Sequence, residues 1–133
     1  MPDDVRVAVA AESDVLAARQ EGRRLAAAAG FSGSDLTIIA TAISEVARNI
    51  VHYATRGEIL LRVAHLDGRS GIVVVARDEG PGIPDLEQAL QDGYSTGGGL
   101  GLGLPGARRL MDELEVVTEL GRGTTVTMRK WTA

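Results

Sequence analysis

Val5, Val7 and Val9 alternate with Arg6 and Ala8, and this two-residue period predicts a short strand with one buried face. Ser13-Asp14 then offers an N-cap and Gly30 a C-cap, so the chain between them predicts a helix over Val15 to Ala29. Phe31-Ser32-Gly33-Ser34 reads as a loop, with Ser34 as the next N-cap candidate. Beyond it, apolar residues recur at Leu36, Ile39, Ile43, Val46, Ile50 and Tyr53. Every gap is three or four residues, so these side chains share one face of a helix. A second stripe runs beside them: Ala42, Glu45, Asn49 and His52. Glu45 and Asn49 lie one turn apart, with Cβ atoms about 5–6 Å from each other. Taken alone, that stripe is explained by a polar helix edge facing solvent, with His52 a partly exposed helix residue.

Gly57 closes the helical region, and Glu58 to Leu66 reads as a strand ended by the tight-turn pair Asp67-Gly68. Gly71 to Asp78 is the next strand. Its Ile72, Val73, Val74 and Val75 are consecutive, which predicts a central strand covered on both faces. Arg62 and Arg77 are expected at the rims. A short helix is expected over Asp85 to Asp92 after Pro84, and Pro105 suits the first turn of a helix running to about Glu113. Leu114 to Leu120 and Thr124 to Trp131 read as strands joined by the turn Gly121-Arg122-Gly123. Strands joined by hairpins imply a mostly antiparallel sheet with the helices on one face. The expected fold is α+β, a two-layer α/β sandwich. With no repeat and no linker, residues 1–133 read as a single domain.

Composition narrows the function. Aromatic residues make up only 3% of the chain, so the core must be aliphatic. The formal net charge is −4, which disfavours a nucleic-acid backbone as partner, while leaving room for a local basic patch, for example around Arg108 and Arg109. Without cysteine, disulfides and thiolate metal sites are excluded. No apolar run approaches the ~20 residues that span a bilayer, and no signal pattern opens the chain. These features predict a cytoplasmic protein with no membrane partner.

The stretch from Asp78 to Gly106 carries nine of the seventeen glycines. That density suits either a linker or a loop that bends tightly around a ligand. Leu100, Leu102 and Leu104 interleave with the glycines, unlike a polar linker, and the run starts directly after an apolar strand that ends in a carboxylate. Asp78 followed by such a loop points to a nucleotide site, although a carboxylate there also suits a simple turn cap before Gly80. No G-x-x-x-x-G-K-[ST] sequence is present, and the only lysine is Lys130, so a P-loop is ruled out.

Four pieces line up in order: Glu45-xxx-Asn49 on a helix, Asp78-x-Gly80-x-Gly82 after a strand, the loop Gly97-Gly98-Gly99-Leu100-Gly101-Leu102-Gly103, and Gly121-x-Gly123-Thr124 before the last strand. Together they resemble the N box and the three glycine boxes of the GHKL superfamily, the Bergerat ATP-binding fold of gyrase, Hsp90, sensor histidine kinases and MutL. Within that superfamily the stretches Thr41–Ile50, Asp78–Asp85, Gly93–Gly106 and the terminal Lys130-Trp131 are most similar to the RsbT-type switch kinases of bacteria.

The resemblance implies a protein serine/threonine kinase that uses ATP and Mg²⁺. Its substrate would be a STAS-domain antagonist of the RsbS/RsbR kind, and its second partner a PP2C-type phosphatase of the RsbU kind, in stress signalling. The same resemblance assigns roles. Glu45 would accept the proton of the attacking hydroxyl. Asn49 would offer Mg²⁺ one neutral oxygen. Asp78, an acceptor when ionised, would take the exocyclic amine of adenine, with Thr124 bridging to the base through its hydroxyl or a water. Gly80, Gly82, Gly97, Gly98, Gly99, Gly101 and Gly103 would wrap the nucleotide, and the helix opened by Pro105-Gly106 would attract phosphate. The competing reading is an anti-sigma factor of the RsbW and SpoIIAB kind, which phosphorylates its antagonist but mainly sequesters a sigma factor. A severed ATPase domain of the gyrase or MutL kind and a histidine kinase fit less well.

Overall fold

The computed structural model describes residues 4–83 and 104–132. The elements run β1 (Val5–Val9), α1 (Glu12–Ala28), α2 (Ser34–Asn49), a π-helical turn (Ile50–Ala54), β2 (Gly57–Leu66), β3 (Arg69–Asp78), α3 (Leu104–Leu110), β4 (Glu113–Glu119) and β5 (Gly123–Trp131). This is the order that the hydrophobic pattern predicts. The expected helix over Asp85 to Asp92 and the loop glycines Gly97, Gly98, Gly99, Gly101 and Gly103 lie outside the described residues.

Helix boundaries shift from the expectation for local reasons. α1 begins three residues before Val15, with Ala11 as its N-cap. Asp14 sits inside the first turn instead of capping it, and its carboxylate reaches back to accept the N–H groups of Ala10 and Ala11 at 2.8 and 3.0 Å. That contact satisfies backbone donors preceding the helix, and its charge suits the helix N-terminus. At the other end Gly30 takes φ +106° just past the cap. Gly30 N–H bonds to the Ala27 carbonyl and Phe31 N–H to the Ala26 carbonyl, a Schellman closure. Phe31 therefore turns inward and is buried, although it lies in a loop. α2 is capped by Gly33, one residue earlier than the Ser34 expected. α3 stops at Leu110, short of Glu113. There the Lys130 ammonium donates to the Leu110 carbonyl, and Asp112 N–H is already paired with Arg129 O of the sheet.

The five strands form one sheet in the order β1-β2-β3-β5-β4, antiparallel at every pairing. Asp67 and Gly68 both take positive φ, which joins β2 to β3 by the tight hairpin their sequence predicts. Alternation sends Val9, Ile59, Leu61, Ile72, Val74, Ala76, Val126 and Met128 toward the helices, all buried. Ile39, Ile43, Val46 and Ile50 of the second helical segment meet them, so its predicted apolar face is the centre of the core.

β3 is the central strand, and among the described residues the helices cover only one of its faces. Val73, on the other face, is 4% exposed and lies in register between Arg62 and Arg129. The expected burial on both faces is thus met at Val73, although the described helices pack on one face only. Arg62 is not at a rim but in mid-strand on the open face. Long arginine stems beside an apolar residue can shield it while the charged heads stay in water, and that explains an unbroken apolar run in a two-layer fold.

Candidate functional site

Register builds the site. At one end of the sheet Gly57, Asp78, Thr124 and Thr118 stand side by side on β2, β3, β5 and β4. All four positions belong to the helix-facing side, because each lies two residues from a core position such as Ala76, Val126 or Val116. Beyond this row the core opens into a cavity of about 390 Å³ between the sheet, the end of α2, the π-helical turn and α3. Val46, Ile50, Leu104 and Val126 supply apolar walls, and Leu120, 66% exposed, forms part of the rim. The polar lining side chains are Asn49, Tyr53, Asp78 and Thr124.

Asp78 has two distinct oxygens. Its Oδ1 accepts Gly80 N–H at 2.8 Å and Thr124 N–H at 3.3 Å. Its Oδ2 takes no hydrogen bond among the described residues. The carboxylate therefore does cap the turn at Gly80, and Asp78 also lines the cavity. The turn-cap reading of Asp78 holds, and it does not spend the second oxygen.

The segment after β3 is clamped on two sides. A Cβ added at Gly80 would stand 2.6 Å from Ala54 Cβ, so only glycine lets the loop rest on the π-helical turn. Gly82 takes φ +82°, and a Cβ there would come within 2.7 Å of the Glu119 carbonyl. Gly121 N–H bonds to the Pro81 carbonyl at 2.9 Å, and Ile83 N–H donates to Thr118 Oγ1 at 2.8 Å. These contacts hold Pro81, Gly82 and Ile83 against the β4–β5 turn as a cavity wall.

Of the residues singled out in the sequence, Asn49, Asp78, Gly82 and Thr124 line the cavity, and Gly80 is bonded to Asp78. Glu45 sits one turn before Asn49 and is not a lining residue; its side chain is 35% exposed and lies 3.8 Å from the Arg48 guanidinium. His52 is exposed on the helical edge, 3.3 Å from Glu12. Thr118 was not singled out, yet its Oγ1 meets Ile83 N–H, Thr124 Oγ1 at 2.9 Å and the Gly123 carbonyl at 3.4 Å. The only hint in the sequence is a polar residue on the inward phase of a strand. The π-helical turn was also missed: it widens the helix directly after Asn49, a distortion often found at functional sites.

The donor set suits Mg²⁺ only as a partner of a phosphorylated ligand. Asn49 supplies one neutral oxygen, and no group of three His, Cys, Asp or Glu side chains gathers among the described residues. Mg²⁺ retains waters and binds through substrate phosphates with few protein ligands, so such a site is sufficient.

Residues 8–130 match the histidine kinase-like ATPase domain family. The serine/threonine-protein kinase RsbT of Bacillus subtilis (strain 168) is 47% identical over 131 residues, 98% of each chain. An anti-sigma F factor of Caldanaerobacter subterraneus subsp. tengcongensis is 37% identical over 103 residues, 73% of this chain and 71% of that protein. Among solved structures, the histidine kinase domain from the Erythrobacter litoralis EL346 blue-light activated histidine kinase is similar over 90% of this chain, with a TM-score of 0.50 and 21% identity. This chain spans 59% of that one's length, and the likeness concerns the fold alone. No helix among the described residues is long and apolar enough to cross a membrane.

Proposed function

Since this chain belongs to the histidine kinase-like ATPase family, as an RsbT-like member of it, we propose that it is an ATP-dependent protein serine/threonine kinase of a bacterial partner switch. Its substrate in this reading is a STAS-domain antagonist, and a PP2C-type phosphatase is the second partner. The observation that carries the nucleotide part is the divided carboxylate of Asp78. Backbone N–H groups hold Oδ1, while Oδ2 takes no hydrogen bond among the described residues, and Asp78 lines an apolar cavity. A flat base with one amine donor on its edge matches that arrangement. Adenine has such an edge; guanine presents a carbonyl in the same place, which the carboxylate repels.

The residues then divide the work. Val46, Ile50, Leu104 and Val126 exclude water from the base. Asn49 faces the phosphate side, where Mg²⁺, when bound, neutralises charge developing on the phosphates. The hydroxyl oxygen of a partner Ser or Thr forms a bond to the γ-phosphorus as the bond to the ADP oxygen breaks. The hydroxyl proton passes to the Glu45 carboxylate, and Arg48 at 3.8 Å helps to orient that group. Gly97, Gly98, Gly99, Gly101 and Gly103 complete the phosphate site in this reading. The support for the partners is the RsbT relative matched along 98% of both chains.

The anti-sigma reading has its own support in the anti-sigma F relatives. Capture of a phosphatase or of a sigma factor by the purified protein, read beside single-turnover transfer from labelled ATP to STAS-domain proteins, separates the two. Transfer to a Ser or Thr, with release of the kinase to a phosphatase, supports the switch kinase. Tight capture of a sigma factor, with or without transfer, replaces it with sequestration.

A further inference from the structure

We propose that Thr118, a residue outside the cavity, sets the polarity of the Thr124 hydroxyl and so makes the site select a base with a hydrogen-bond acceptor next to its amine. The inference rests on the nucleotide reading above and adds a specificity residue to it.

The argument is a count of protons and lone pairs. A threonine hydroxyl has one proton and two acceptor positions. Ile83 N–H donates to Thr118 Oγ1 at 2.8 Å, which uses one acceptor position and cannot be reversed. The single Thr118 proton has two possible destinations: Thr124 Oγ1 at 2.9 Å or the Gly123 carbonyl at 3.4 Å. The first lies at a good O–H···O separation; the second is beyond it. When Thr118 donates to Thr124, the Thr124 proton has no protein acceptor among the described residues and is available to the cavity that Thr124 lines. The chain of donors runs Ile83 N–H, Thr118 O–H, Thr124 O–H, ligand. When the chain is reversed, Thr118 must spend its proton on the long contact. A ligand acceptor therefore favours the forward direction.

Asp78 is the register partner of Thr124 and lines the same cavity, and its Oδ2, which takes no hydrogen bond among the described residues, is a pure acceptor. The pair thus offers one acceptor and one donor side by side. Adenine has the complementary edge, with its 6-amine as donor and N1 as acceptor. Guanine reverses both groups, with O6 as acceptor and N1–H as donor. On this account Thr118 is a positioning residue: 2.9 Å behind Thr124, it is not among the cavity-lining residues and touches no base.

The test couples one protein atom to one ligand atom. ATP and 1-deaza-ATP, which replaces N1 with C–H, are titrated into wild-type protein, Thr118→Val and Thr118→Ser. Valine keeps the shape and strand preference of threonine without the hydroxyl. Wild type is expected to favour ATP over 1-deaza-ATP roughly fivefold to tenfold, the scale of one hydrogen bond. Thr118→Val should shrink that ratio toward unity, and Thr118→Ser should restore it. A general loosening of the fold lowers both affinities and leaves the ratio unchanged. An unchanged ratio in a folded Thr118→Val protein overturns the proposal. So does a wild type that binds both nucleotides equally, an arm that needs no variant. Failure of wild type to bind ATP at all instead removes the nucleotide reading itself.

Discussion

Asp78→Asn separates the two jobs of one carboxylate. Asparagine can keep its carbonyl where Oδ1 is, accepting Gly80 N–H and Thr124 N–H, now held at 2.8 and 3.3 Å. Its amide nitrogen then occupies the place of Oδ2 and confronts the adenine amine, donor against donor. The lost bond to a charged acceptor is worth about 1.5–3 kcal/mol, and leaving donors unpaired in an apolar cavity adds about 1–3 kcal/mol. A loss of about 3–4 kcal/mol corresponds to ATP binding weaker by on the order of 10²–10³-fold. GTP, whose O6 meets the new amide, should bind the variant better than it binds wild type. Stability should move by less than about 1 kcal/mol, because both backbone donors keep an acceptor. Asp78→Ala removes that acceptor as well and should cost about 1–3 kcal/mol, or roughly 3–5 °C in melting temperature for each kcal/mol. Calorimetric titration with ATP and GTP, alongside thermal melts of both variants, measures all of this. Near-wild-type ATP affinity in Asp78→Asn refutes the adenine contact. A melting temperature as low as that of Asp78→Ala refutes the division of labour between the two oxygens.

Three further outcomes are expected. Glu45→Gln should leave ATP affinity nearly unchanged and slow single-turnover transfer by on the order of 10²–10⁴-fold, with the small end favoured by a loose transition state; transfer at the wild-type rate would show Glu45 to be only a polar helix edge. Asn49→Ala should weaken ATP binding in the presence of Mg²⁺ more than in its absence, read by titration with and without a chelator; an equal loss in both removes Asn49 from the metal. Gly22→Ala places a methyl group against Ile43 Cδ1 in the α1–α2 contact, and the overlap should outweigh the gain in helix propensity and destabilise by about 1–2 kcal/mol. Adding Ile43→Val, which deletes that δ-carbon, should recover part of the loss in denaturant melts; strictly additive costs would refute the overlap.

The element order and the core face of α2 were legible because they depend on local periodicity. Leu36 to Tyr53 repeats at helical spacing, and Val5 to Val9 alternates. That Asp78, Thr124 and Asn49 belong together was legible because the ordered motifs resemble a family, and the three do line one cavity. The boundaries were less so. The α1 cap depends on Asp14 reaching backward, and the end of α3 depends on Lys130, twenty residues away along the chain. The strand order β1-β2-β3-β5-β4 and the open face that exposes Arg62 could not be read from any one segment.

What the sequence by itself determined is therefore a set of elements, one aliphatic core face and a glycine-marked region next to a carboxylate. Each follows from interactions among residues a few positions apart. Only the tertiary structure decided that Thr118 and Thr124, on neighbouring strands, meet Asp78 in one row, that Asp78 spends one oxygen on the backbone and leaves the other without a hydrogen bond among the described residues, and that Glu45 stands outside the cavity wall. The physical reason is cross-strand register. Hydrogen-bonded pairing sets which side chains become neighbours across the sheet, and a slip of one residue would turn Thr118 to the opposite face.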